Sequence, residues 1–277
     1  MTSPIPLAVS TGSLYPLSTL KSIQELKEID VRDIELTLQS NEFFLNFERK
    51  LSMPILPELL RLVQSGELRV RSVHAPNIPA NHAGNLWARN EYLLKSIETC
   101  HILGGSLVVI HPLHLFTTQE SALEYLVGSK VSLQSALLPG IEPVLERARR
   151  SNITLALENI QDWLDEIFFN SPENMSRFLK EIQHPALSFT LDLMHAQVSG
   201  FLSEFVNSLA AEIVNVHVSD FAPPTQRVSV GRGVIDWHHL LPALQALPNL
   251  RQLTLELSNP QPGELCQSIE TLSGLMS

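Results

Sequence analysis

Six side chains capable of metal or proton chemistry stand where apolar runs of this chain end. His74 closes LRVRSVHA (68–75) and His111 closes SLVVIHP (106–112). Glu158 follows LAL in LALENI (155–160), and Asp192 follows FTL in FTLDLMHA (189–196), with His195 three positions on. His217 lies in VNVHVSD (214–220) and Glu256 in LTLELS (253–258). An ionised carboxylate at the end of a buried strand is costly unless it is paired or bound to metal. Two Glu, one Asp and one or more His form a ligand set for a divalent cation. Mixed carboxylate and imidazole donors suit Mn²⁺, Zn²⁺, Fe²⁺ or Co²⁺, whereas Mg²⁺ prefers oxygen ligands.

Those residues need a scaffold that brings strand ends together. The chain offers eight β-rich runs, at 6–11, 33–38, 68–75, 106–112, 153–159, 187–193, 213–219 and 253–258. Most are almost continuously apolar, as strands covered on both faces should be. Amphipathic stretches between them include 17–29, 85–103, 171–182 and 236–247. Ser171 with Pro172 has the N-cap, N1 order of a helix start, and Asp236 is a second N-cap. The stretch 117–150 exceeds one helix and is interrupted at LLPGIEP. There Pro139, Gly140 and Pro143 are each helix breakers, so two helices are expected. The repeated strand–helix pattern predicts an α/β fold, a single (β/α)8 TIM barrel over residues 1–277. A doubly wound sheet is the competitor, but no GxGxxG or GxxxxGK[ST] follows the first strand. In a barrel the functional residues gather at the C-terminal ends of the strands, so side chains far apart in sequence converge on one mouth.

Composition narrows the partners. Hydrophobic residues make up 44% of the 277 and charged residues 17%, enough for a full core and too few charges for long disordered tails. No run approaches the roughly 18 apolar residues of a membrane span. No Lys or Arg precedes Lys21, so a basic signal-peptide start is lacking. Cys100 and Cys266 are far apart and in no metal-ligand spacing, which fits a reduced cytoplasmic compartment. The net charge of −10 weighs mildly against non-specific nucleic-acid binding.

The segments VHAPN, VVIHP, LALEN, TLDLMHA, VNVHVSD, VGRGVIDW and LTLELS, in this order and spacing, resemble the xylose-isomerase-like barrel superfamily. That group contains sugar epimerases and isomerases, inositol-catabolism enzymes and endonuclease IV, and the resemblance runs from the first strand to the last. It implies one divalent metal held by Glu158, Asp192, His217 and Glu256. It also implies that His195 and Arg227, four residues before the glycine loop, hold a sugar substrate. His74 and His111 are further substrate-binding candidates at the mouth. In the nuclease branch they are metal ligands, so a second metal bridged by Glu158 is an open alternative. That branch also requires an Asp-x-His before the glycine loop, where this chain reads Thr225-Gln226-Arg227. An arginine stays protonated and cannot ligate a metal, so a third site is not expected.

The expected activity is therefore a metal-dependent sugar or sugar-phosphate isomerase or epimerase. Glu158 and Glu256 would serve as acid and base through an enediolate. The alternatives are an endonuclease IV-like phosphodiesterase and a metal-binding barrel without catalysis. A small-molecule sugar is the expected partner, and barrels of this group often pair as homo-oligomers. Other polar residues have plainer readings. Asp236 and Trp237 are expected to cap and pack a helix, and Glu35 to make an internal polar contact. His238 and His239 are expected at the surface. His114 lies near the mouth without an assigned role, and His82, His101 and His184 have no nameable partner.

Overall fold

A computed structural model describes residues 5–45, 51–77, 86–111, 114, 138–160, 171–224 and 226–276. Each of the eight apolar runs forms a strand: β1 (Leu7–Ser10), β2 (Asp33–Thr37), β3 (Arg69–His74), β4 (Leu107–Ile110), β5 (Thr154–Glu158), β6 (Leu187–Asp192), β7 (Ile213–Val218) and β8 (Gln252–Leu255). Neighbours pair in parallel around the ring, and β1 closes it by pairing with both β2 and β8. A closed parallel barrel leaves no exposed sheet edge, and helices cover its outer face. These helices are α1 (Thr19–Glu28), α2 (Leu56–Gln64), α3 (Leu86–Ile102), α4 (Leu138–Arg150), α5 (Pro172–Ile182), α6 (Leu193–Val198), α7 (Leu202–Ser208), α8 (Trp237–Gln245) and α9 (Pro262–Met276). The expected (β/α)8 barrel is thus the fold observed. None of the described helices is long and apolar enough to cross a membrane.

Helix ends follow their local chemistry. Ser171 caps α5, its Oγ accepting from Asn174 N at 3.4 Å, and Pro172 occupies N1. The helix stops at Gln183, which is left-handed at φ 46°. Its stripe Met175, Phe178, Leu179 and Ile182 is buried against the barrel. Phe178 is fully buried, so Phe178→Ala is expected to cost about 3–5 kcal/mol. The shift of a urea unfolding midpoint measures it. At LLPGIEP the expectation needs correction. Helix α4 begins at Leu138 and runs through Gly140 and Pro143 to Arg150. Pro139 lies in the first turn, where a backbone N–H has no helical partner, and Pro143 lies inside the helix at the cost of one hydrogen bond and a ring–carbonyl clash. The earlier helix expected in 117–150 falls largely outside the described residues.

Two register shifts bear on the interior. Along β2–β3 the pairing jumps from Ile34–Val70 to Glu35–Ser72, leaving Arg71 as an extra residue. Along β6–β7 it jumps from Phe189–Ile213 to Thr190–Asn215, leaving Val214 extra. Strand side chains alternate faces, so each bulge changes which residues point inward beyond it. The barrel interior is consequently divided. Leu107, Val109, Ala156 and Val214 make an apolar cluster. Ser72, Asn215, Gln252 and Thr254 make a buried hydrogen-bonded one.

Candidate metal and acid–base site

The C-terminal ends of β5 to β8 deliver Glu158, Asp192, His217 and Glu256 to one place. One ligand-capable atom from each lies within 4.8 Å of the others. His217 is at the centre, fully buried. Its Nδ1 is 3.2 Å from Glu158 Oε1, 3.3 Å from Glu256 Oε2 and 4.0 Å from Asp192 Oδ2. No hydrogen bond is made at either ring nitrogen, nor at Glu35 Oε1, which lies 3.0 Å from Nε2. His74, Glu158 and His217 form a second, overlapping cluster. Glu158 joins the two. Its Oε1 faces His217, while its Oε2 lies 3.1 Å from His74 Nε2 and 3.3 Å from His111 Nε2. His74 Nδ1–H donates to Ala75 O at 3.0 Å, which directs Nε2 at the carboxylate.

Electrostatics tie the cluster together. Burial would raise Glu158, but the His217 charge and bonds from His111, His217 and His74 hold it well below the usual carboxylate range. Glu256 is likewise held down against its burial, by His217 and Arg227. Burial pulls His217 down, yet Glu35, Glu158 and Glu256 together hold it well above the ordinary imidazole range. His74 is raised to about 9 against its burial, chiefly by Glu158.

Arg227 comes from a two-stranded hairpin, Asp220–Ala222 paired with Gln226–Val228, that follows β7. Its Nη2 donates to Asp192 Oδ2 at 2.8 Å and its Nη1 to Glu256 Oε2 at 3.0 Å. Nη1 also reaches the Glu256 carbonyl at 3.0 Å. His195 Nε2 stands 3.5 Å from Arg227 Nη2 and 4.0 Å from Asp192 Oδ2. The two residues expected to hold a substrate therefore sit side by side against two of the four carboxylate and imidazole donors.

Residues that carried no site assignment do much of the positioning. Asn159 pairs its side-chain amide with the Asp192 backbone, accepting from N at 2.8 Å and donating to O at 3.0 Å. Asp192 itself caps α6, its Oδ1 accepting from His195 N at 2.8 Å, so one oxygen is structural and the other faces the site. His114 accepts from His111 N at 2.9 Å and donates to Pro76 O at 3.0 Å, pinning the two mouth loops. Burial, with His111 nearby, lowers His114 to about 3, which keeps this tautomer neutral. Asp236 caps α8, accepting from His239 N at 3.3 Å, and Trp237 is buried, as their plainer readings have it.

Asp220 organises the loop that carries Arg227. Its carboxylate accepts from Phe221 N, Ile235 N, Gly231 N and Trp237 Nε1 at 2.8–3.1 Å. The glycines of VGRGV are needed for this wrap. Gly231 has φ +79°, and a Cβ on Gly233 would lie 2.2 Å from Phe221 O and 2.3 Å from Asp220 Oδ1. Gly233→Ala is expected to displace the hairpin and cost about 1–3 kcal/mol. A thermal-unfolding comparison with Gly263→Ala, where a Cβ meets nothing within 4 Å, checks it.

Known proteins share this frame. A D-tagatose 3-epimerase-like protein superposes with a TM-score of 0.74 at 22% identity, covering 98% of this chain and 97% of that one. The IolI protein, solved with a zinc atom, gives 0.69 at 17% identity over 99% and 98%. In sequence, Probable endonuclease 4 of Mesomycoplasma hyopneumoniae (strain 7448) is 26% identical over 181 residues, 59% of this chain and 60% of that protein. Residues 23–274 match the Xylose isomerase-like TIM barrel family. With the closed eight-stranded barrel, that match over most of its length makes this chain a member of the xylose isomerase-like TIM barrel family.

Proposed function

We propose that this barrel is a divalent-metal-dependent sugar or sugar-phosphate isomerase or epimerase, with Glu158 and Glu256 as its acid and base. One observation carries the reading. Strands β5 to β8 converge three carboxylates on the hydrogen-bond-free Nδ1 of a buried His217, with Arg227 and His195 beside them. The donor set fits a cation. Asp192 and Glu256 pair with Arg227 and Glu158 faces imidazoles, and these three carboxylates with His217 are the oxygen and nitrogen donors a divalent ion takes. When bound, the ion would polarise a substrate carbonyl and acidify the adjacent C–H.

The chain's own groups then divide the work. One glutamate takes the proton from carbon, the C–H electrons form the C=C of an enediolate, and the carbonyl oxygen takes up the charge. The other glutamate, having taken a proton from solvent, returns it to carbon. Delivery to the opposite face of the same carbon epimerises; delivery to the neighbouring carbon, with the hydroxyl proton passing to the former carbonyl oxygen, isomerises. The Arg227 guanidinium and His195 imidazole would orient substrate oxygens and stabilise charge developing there. The sugar epimerase likeness among solved structures supports this substrate class.

A second reading has specific support. Glu158 Oε2 faces His74 and His111, the arrangement a bridging carboxylate would need, and an endonuclease 4 relative matches in sequence. Against it, Arg227 stands in the place of a third-site ligand. A third reading keeps the ion without turnover. The protein loaded in turn with Mn²⁺, Co²⁺ and Zn²⁺ is to be incubated in D₂O with ketoses, aldoses and their phosphates. Deuterium incorporation at carbon supports the proposal. Cleavage of an abasic-site duplex without sugar exchange supports the second reading. Tight metal binding with neither activity supports the third.

A further inference from the structure

We propose that Glu35 is a positioning residue that holds His217 in its Nε2–H form and so turns the Nδ1 lone pair toward Glu158, Asp192 and Glu256. This rests on the reading that His217 ligates a cation. The imidazole has two edges. Nδ1 faces the three mouth carboxylates, and Nε2 lies 3.0 Å from Glu35 Oε1, one layer deeper in the barrel. Carboxylate oxygens stand at contact distance from both nitrogens; a cation among the mouth carboxylates would take the Nδ1 lone pair, and the ring's one N–H then lies on Nε2, facing Glu35. A carboxylate behind a ligating histidine is a recurrent way to fix tautomer and ring orientation.

The rest of the interior is arranged to aim Glu35. Its Oε2 accepts from Ser72 Oγ at 2.8 Å and Asn215 Nδ2 at 3.4 Å. Gln252 Nε2 donates to Ser72 Oγ at 2.7 Å and to Thr254 Oγ1 at 2.9 Å, and Thr254 Oγ1 donates to Asn215 Oδ1 at 3.0 Å. Strands β3, β7 and β8 thus clamp one carboxylate oxygen, and Oε1 is left to the imidazole. Past each register shift, the residue after the extra one takes the paired place, Ser72 opposite Glu35 and Asn215 opposite Thr190. Glu35 is fully buried in a barrel interior that also holds the apolar cluster Leu107, Val109, Ala156 and Val214. A space-filling role there would be met by an apolar side chain without the cost of burying an acid.

The test compares wild type, Glu35→Gln, Glu35→Asp and Ser72→Ala. Zn²⁺ affinity is measured by calorimetry, and the His217 tautomer by ¹⁵N-imidazole NMR of the zinc-loaded wild type. Expected are an Nε2–H, Nδ1-ligated His217 and an affinity loss of roughly 10–100-fold in both Glu35 variants. Ser72→Ala, which loosens the clamp but keeps the acid beside the ring, should lose affinity by less than either Glu35 variant; a purely structural network would affect stability in all three variants and affinity in none. Wild-type affinity in folded Glu35→Gln, or ligation of His217 through Nε2, overturns this role while leaving the metal reading intact. Absence of Zn²⁺ binding by the wild type overturns both. The NMR arm needs no variant, so a Glu35→Gln that fails to fold still leaves the tautomer to decide.

Discussion

Glu158→Gln and Glu256→Gln are each expected to abolish solvent-deuterium exchange into a turned-over sugar, with turnover falling roughly 10²–10⁴-fold. The amide keeps the side chain's length but cannot accept a proton from carbon. Both residues sit beside His217 Nδ1, and each is held ionised by neighbouring cationic groups, so each is available as a base. Because either change also alters a ligand, metal content must be measured on the same samples. Loss of exchange in protein that still holds its ion identifies the acid–base role. Retained exchange in both metal-loaded variants removes the two-glutamate mechanism.

Adding a divalent ion to the stripped protein is expected to raise its unfolding temperature substantially. At a free concentration about 1,000-fold above Kd the stabilisation is ~4 kcal/mol, on the order of 10 °C for a chain of this size. The gain should vanish in Asp192→Ala. That change removes the buried oxygen 2.8 Å from Arg227 and uncaps α6, so its metal-free form is expected to be weaker by about 1–3 kcal/mol. Differential scanning calorimetry with and without Mn²⁺ or Zn²⁺ reads both effects. A wild-type protein whose melting is indifferent to every divalent ion tested would contradict the cation reading.

Much of the architecture was legible because a parallel barrel writes itself as a one-dimensional pattern. Runs such as LVVI at β4 and IVNVHV at β7 are apolar almost throughout since both faces are covered, and capping residues such as Ser171 and Asp236 mark helix starts. Acids and imidazoles interrupting those runs at their C-terminal ends were visible for the same reason. Helix α4 departs from the expected break at Pro143 because local propensity yields to tertiary packing. Ile141, Val144, Leu145 and Ala148 are all buried, and that packing outweighs one missing hydrogen bond. His184 has no partner nameable from sequence spacing, and in the fold it lies 3.3 Å from Glu146 Oε1 on α4.

By itself the sequence determined the strand order, and with it which acids and histidines arrive at the same end of the barrel. Chain connectivity and alternating hydrophobicity suffice for that. Only the tertiary structure decided how those groups face one another. Glu35 meets His217 across the barrel, and register shifts at Arg71 and Val214 interrupt the alternation that periodicity reads. Arg227 reaches Asp192 and Glu256 because Asp220 gathers four donors and Gly233 leaves no room for a side chain. Such contacts depend on register and on close approach between segments distant in sequence. Those are properties of the packed barrel, and residue spacing along the chain does not encode them.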